Sequence, residues 1–388
     1  MRDFEFYNPT RIIFGKSSEN NLLYELRKYG KRILFVYGGG SIKKSGLYEV
    51  VSQQIREANA LCFELGGVQS NPKVSLVRKG IELARKQNID FILAVGGGSV
   101  IDTAKAISAG VFMDCDIWDA YVTKVNITRA IPVGVVLTIA SAGSESSTGS
   151  VLTNDENGLK RSIHSEAIIP KFAILNPCRT FTLPPYQTAC GACDIIAHLL
   201  ERYFTPDKDV ELIDRMIEAA IKTMLIYAPK AIATPNDYDA RSQIMWCGTL
   251  AHNDLLSTGR LGDWGSHKIG HELSAFNDVA HGASLSIVFP AWMKFTYEKN
   301  KERFVNLATR AFDIEKGDKL DEQIIFEMIA KFEAFLKKLG LPTHLREINI
   351  APEDLPSIAE KAFVGRDTIG EFVKLREKQV LDILKLAY

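Results

Sequence analysis

Two short stretches constrain the fold more than any others: "RILFVYGGGS" at 32–41 and "FILAVGGGS" at 91–99. Each is a run of aliphatic and aromatic residues without polar alternation, the pattern of a strand buried on both faces. Each run ends in three glycines and a serine, and a helical pattern follows, "IKKSGLYEVVSQQIREA" in one case and "VIDTAKAISAG" in the other. A strand, a tight turn and a helix, used twice, imply a parallel sheet with crossover connections. Between them "SLVRKGIELARKQNI" (75–89) has helical periodicity, and "IPVGVVLTIA" (131–140) reads as a further strand.

The pattern changes near "NPCRTFTLPPYQT" (176–188), where Thr182 followed by Pro184 and Pro185 marks a helix start. Proline is tolerated there because first-turn N–H groups have no partner in the helix. Long amphipathic helical stretches then run to Tyr388, among them "DVELIDRMIEAAIKTMLIYAPKAIA" and "DEQIIFEMIAKFEAFLKKLG". The expected organisation is an α/β unit over 1–180 and an all-α unit over 181–388, in a chain of 388 residues.

Lys plus Arg and Asp plus Glu number 47 each, which leaves no net field to draw nucleic acid or anionic lipid. No run approaches the ~18 apolar residues of a membrane span. The opening "MRDFEFYNPTRIIFG" carries acidic residues and no apolar segment, unlike a secretory signal. Six cysteines without regular spacing read as reduced thiols of a cytoplasmic protein, and Cys190 and Cys193, inside a helical pattern, read as structural.

A glycine turn at a helix N-terminus gathers backbone N–H groups for pyrophosphate without side chains in the way. Gly96, Gly97, Gly98 and Ser99 offer such a turn, and Gly38, Gly39, Gly40 and Ser41 repeat it. Two such turns on neighbouring strand ends form one crevice for a dinucleotide. The first turn has no Asp or Glu to accept from a ribose 2′-hydroxyl, whereas Lys43 and Lys44 follow it. That neutral-to-positive setting favours NADP(H), with NAD(H) the alternative. Asp102, near the start of the second helix, suits either the helix dipole or an orienting role.

"HKIGHELSAFNDVAHG" (267–282) packs three of the chain's seven histidines into sixteen positions. His267 and His271 stand four apart on one helical face, as do Asp194 and His198 in "CDIIAHLLERYF". A carboxylate with several neutral imidazoles suits one divalent metal such as Fe²⁺ or Zn²⁺. Lys268 occupies the position where a zinc protease needs its glutamate, which excludes that reading. His164, His252 and His344 read as structural.

Taken together, these motifs resemble the iron-containing (group III) alcohol dehydrogenases, and among them the NAD(P)H-dependent butanol dehydrogenase type. The resemblance runs over nearly the whole chain, through "FYNPTRIIFG", "YGGGSIKKSG", "NPKV", "VGGGSVIDTAKAI", "GDWGSHKIGHELSA" and "AHGASLSIVFPAWM". It implies metal ligands at Asp194, His198, His267 and His281, with His271 lining the site as a candidate for proton transfer. It also implies cofactor contacts from Gly38 to Ser41, from Gly96 to Ser99, and at Asn71, Asp102, Thr138, Ser147 and Lys160. The implied fold is a Rossmann-like NADP-binding domain plus a helical domain, as in dehydroquinate synthase, with the active site in the cleft between them. The implied protein is a cytoplasmic homodimer that interconverts small to medium-chain primary alcohols and aldehydes.

Three features depart from the family pattern. Ala142 replaces a threonine near the nicotinamide side, Gly270 replaces a glutamate and predicts a looser helix with a roomier pocket, and the tail after Phe363 matches loosely. Two rival readings are a lyase of the dehydroquinate synthase type and a non-enzymatic binding module. The lyase would need a cationic pocket for a phosphorylated sugar acid, and only Arg260 and Lys268 lie near the histidines in sequence.

Overall fold

The computed structural model describes residues 1–123 and 125–388. The chain divides into two compact units, Tyr7–Thr182 and Leu183–Tyr388, and the first six residues, Met1–Phe6, belong with the second.

In the Tyr7–Thr182 unit the aliphatic runs become β1 (Arg11–Phe14), β2 (Arg32–Tyr37), β3 (Leu61–Leu65), β4 (Phe91–Gly96), β5 (Val133–Leu137) and β8 (Phe172–Leu175). They form one six-stranded sheet in the order β1-β8-β5-β4-β2-β3, with every pairing parallel. A separate antiparallel hairpin joins β6 (Gly149–Thr153) to β7 (Lys160–His164). The central strands are buried along their length, and Phe35, Phe91, Leu93, Val136 and Phe172 pack into one core with Leu22, Leu47, Val51 and Ile55 from the helices. The chain runs outward from β2 to β3 and then returns to place β4 on the other side of β2. Ligands of open parallel sheets bind at such a reversal, beyond the carboxyl ends of the strands. Tyr37 and Val95 are register partners, so the two glycine turns leave the sheet side by side.

The Leu183–Tyr388 unit is built from helices, with no strand among its described residues and one isolated bridge between Ile369 and Leu375. Three of its helices carry the histidine chemistry: Pro185–Tyr203, Gly265–Asn277 and His281–Thr296. The first begins on Pro184 and Pro185. No helix among the described residues is long and apolar enough to cross a membrane.

Candidate metal centre and nucleotide turns

The helix Gly98–Gly110 starts one residue after Gly97, and its residues from Val100 to Gly110 are all buried, so it is fixed rigidly behind β4. Its first-turn N–H groups sit at the switch point of the sheet, the position that favours a phosphate. The Thr138 N–H donates to the Gly96 carbonyl (3.0 Å) and ties the end of β5 to this turn. Lys160 Nζ donates to Asn71 Oδ1 (2.9 Å), which brings together two of the implied cofactor residues from positions far apart in sequence.

Asp102 and Ser147 are buried and already engaged. Asp102 accepts from Ser144 Oγ (2.6 Å) and from the Val151 N–H (3.1 Å), and burial raises its pKa. Lys105 Nζ donates to the carbonyls of Ser147 and Gly149, each at 2.8 Å. This pair therefore pins the helix to the 144–151 segment, which the sequence does not disclose. Glu64, at the end of β3, was also missed: it accepts from the hydroxyls of Tyr37 (2.8 Å) and Tyr48 (2.7 Å), and Lys43 Nζ lies 4.9 Å from the Tyr48 ring centre. A carboxylate brought from a neighbouring strand leaves no local motif.

In the helical unit, Asp194 and His198 lie one turn apart on Pro185–Tyr203, His267 is the third residue of Gly265–Asn277, and His281 opens His281–Thr296. One donor atom each from Asp194, His267 and His281 lies within 4.8 Å of the others. His267 Nε2 and His281 Nε2 stand 3.9 and 3.8 Å from Asp194 Oδ1. Tetrahedral donors about 2.1 Å from a divalent ion stand about 3.4 Å apart, so one carboxylate and two imidazoles at this spacing suit such an ion.

His198 falls outside that set of three but borders it, its ring centre 4.6 Å from that of His267. Its Nδ1 donates to the Asp194 carbonyl (2.9 Å), which leaves the Nε2 lone pair available. Burial drives its pKa down to about 3, keeping the imidazole neutral, as a ligand must be. His271 is half-buried, and its ring centre lies 5.0 Å from that of His281. His252, read as structural, packs its ring 4.4 Å from His198.

Two close approaches hold this arrangement. A Cβ at Gly282 would meet the Cys190 carbonyl oxygen at 2.0 Å, so only glycine lets His281–Thr296 cross Pro185–Tyr203 this near to Asp194. A Cβ at Gly270 would lie 2.9 Å from Leu285 Cδ2 and 3.1 Å from Ser284 Oγ. Gly270 is buried against the neighbouring helix, which corrects the expectation of a looser helix: the missing side chain is what permits tight packing. Cys190 and Cys193 are buried and free, and burial raises both thiols above their usual range.

Comparison with known proteins decides the lineage. Residues 9–177 match the family model "Iron-containing alcohol dehydrogenase", and residues 188–388 match "Fe-containing alcohol dehydrogenase family, C-terminal". The chain belongs to the iron-containing alcohol dehydrogenase family. This iron-family dehydrogenase is 46% identical over 385 residues to "Probable NADH-dependent butanol dehydrogenase 1" of Bacillus subtilis (strain 168), covering 99% of each chain. It is 36% identical over 364 residues to "NADPH-dependent aldehyde reductase YqhD" of Escherichia coli (strain K12), covering 93% of each. Its structure is similar to that of NADH-dependent butanol dehydrogenase A from Thermotoga maritima, with a TM-score of 0.96, 39% identity and coverage of 100% and 99%. The dehydrogenase is thus an NAD(P)-dependent alcohol oxidoreductase, which sets aside both rival readings from the sequence.

Proposed function

We propose that the protein interconverts small to medium-chain primary alcohols and their aldehydes by reversible hydride transfer with NADP(H), and with NAD(H) to a lesser extent. The observation that carries this reading is the convergence of Asp194, His267 and His281 in a chain that also presents paired glycine turns at a sheet reversal. A divalent ion, Fe²⁺ or Zn²⁺, supplies Lewis acidity toward the substrate oxygen when bound. Asp194, His267 and His281 hold it, and His198, neutral and adjacent, completes the set through Nε2. The turns from Gly38 to Ser41 and from Gly96 to Ser99 bind the dinucleotide, with Asn71, Asp102, Thr138, Ser147 and Lys160 contributing around them. Half-buried His271, beside His281, passes a proton between substrate oxygen and solvent.

The turn after β2 contains no carboxylate, and Lys43 and Lys44 are exposed beside it, which supports the NADP(H) preference. Relatives differ on this point, since butanol dehydrogenases of Bacillus subtilis and Clostridium acetobutylicum are named for NADH and the Escherichia coli aldehyde reductase for NADPH. The protein acts in the cytoplasm, in keeping with six free cysteines. It works as a homodimer: β1 is a sheet-edge strand and carries exposed Phe14, with exposed Tyr7 just before it, a combination that favours pairing with a second copy.

The deciding experiment is a panel of short to medium aldehydes assayed with NADPH and NADH after metal removal and reconstitution with Fe²⁺ or Zn²⁺. Turnover returns only with metal and is faster with NADPH. Asp194→Asn loses both metal retention and turnover, and a variant that kept both would refute the assignment.

A further inference from the structure

Glu201 lies one turn beyond His198 and about two turns beyond Asp194 on the helix Pro185–Tyr203, and only 1% of it is exposed. Its partners all lie in one short segment more than sixty positions away. Oε2 accepts the Trp264 N–H, and Oε1 accepts the His267 N–H at 2.9 Å. The same Oε1 lies 2.8 Å from His267 Nδ1. The Glu201 carbonyl accepts the Asp263 N–H at 2.8 Å. Trp264 precedes the helix Gly265–Asn277 and His267 is its third residue, so Glu201 caps that helix from another element. Trp264 has φ 62°, a left-handed conformation that a bulky side chain adopts only when its surroundings impose it.

A cap needs only the backbone bonds. The bond to the ring does something more. A carboxylate accepts and does not donate, so the proton of the neutral imidazole sits on Nδ1, and the lone pair sits on Nε2. That Nε2 is the atom facing Asp194 Oδ1 at 3.9 Å. One side chain therefore fixes both the backbone that carries His267 and the tautomer that makes it a ligand. Burial disfavours the charged form of Glu201, and these three N–H donors offset that cost.

We propose that Glu201 is a positioning residue that holds His267 as its Nδ1–H tautomer, with Nε2 presented to the Asp194–His281 side before any ion arrives. This rests on the metal reading above. Outer partners of this kind change metal affinity by about 10–100-fold.

The test uses the full chain, stripped of metal and labelled with ¹⁵N-histidine. In the wild-type protein the His267 imidazole shows a directly protonated Nδ1 and an unprotonated Nε2. A proton found on Nε2 overturns the proposal. Zn²⁺ is then titrated against a competing chelator. Glu201→Ala removes the acceptor, and Glu201→Gln, which keeps the volume and can turn its amide N–H₂ toward the ring, serves if the alanine variant does not fold. The folded variant binds Zn²⁺ at least tenfold more weakly, populates both His267 tautomers and binds dinucleotide as before. A loss below tenfold, or a single Nδ1–H tautomer retained in the variant, overturns it. If the wild type binds no Zn²⁺, the metal reading fails as well. If it binds and the variant matches it, only the role of Glu201 falls.

Discussion

Replacing Gly282 with alanine tests whether helix proximity, rather than ligand identity alone, makes the proposed metal site. The added methyl would sit 2.0 Å from the Cys190 carbonyl oxygen, 2.6 Å from its carbon and 2.8 Å from Cys190 Cα. All three are backbone atoms in the middle of a helix, so no rotamer change relieves the contact. A comfortable carbon–oxygen approach is about 3.3 Å, so the two helices must part by about 1.3 Å. His281 is the adjacent residue, and its Nε2 already stands 3.8 Å from Asp194 Oδ1. Two ligands bonded at about 2.1 Å to one ion cannot be more than about 4.2 Å apart. Parting the helices would therefore take His281 out of reach of the ion that it shares with Asp194 in the proposed site. Overpacking of this kind costs about 1–3 kcal/mol, which lowers Tm by about 2–12 °C in a domain of this size. Metal content after dialysis, by mass spectrometry, and Tm, by calorimetry, are the assays. A Gly282→Ala protein with full metal occupancy and unchanged Tm would show that the crossing is not what sets the site.

Other outcomes follow from named contacts. Burial holds the folded pKa of His198 near 3, against an ordinary value of 6.5. Between those values the unfolded chain binds the extra proton, so the stability that neutral His198 lends is present above 6.5 and lost as pH falls toward 3. For this one group the loss is about 1.4 kcal/mol per pH unit; urea unfolding of metal-free protein at pH 7 and 5 shows it, and His198→Asn shows a correspondingly shallower dependence. Lys43→Ala raises KM for NADPH about tenfold, the loss of one charge-assisted bond, and leaves KM for NADH nearly unchanged. Equal shifts for the two cofactors would mean that Lys43 does not meet the 2′-phosphate.

What the sequence disclosed was whatever is written locally. The buried runs at 32–37 and 91–96 have no polar alternation, and the glycines after them mark turns, so β2 and β4 and the helices behind them were legible. β3 was not, because its five residues are exposed or only half-buried and Glu64 breaks its apolar stretch after three of them, and β1 and β8, of four residues each, are too short to show a period. Spacing on one helical face exposed Asp194, His198, His267 and His271, since a helix repeats every few residues. Glu201, Glu64 and the Asp102–Ser144 contact act across 66, 27 or 42 positions, and no spacing rule reaches that far. Gly270 shows the converse error. Propensity predicted looseness there, but Leu285 and Ser284 fill the space that a side chain would take.

The opening residues of the chain are stitched to its later part: the Met1 amino group donates to the Lys208 carbonyl, and the Arg2 N–H to the Gly259 carbonyl. Buried Asp263, just ahead of the histidine-bearing helix, accepts N–H bonds from Glu371, Phe372 and Val373. During synthesis all the residues of the Tyr7–Thr182 unit have been added once about half the polypeptide has emerged. The unit that carries the histidines must wait for residues near 373 and must also recapture the very first ones. Domains acquire structure as units while translation proceeds. The unit bearing Asp194, His267 and His281 is therefore the last part of this polypeptide that can complete its packing.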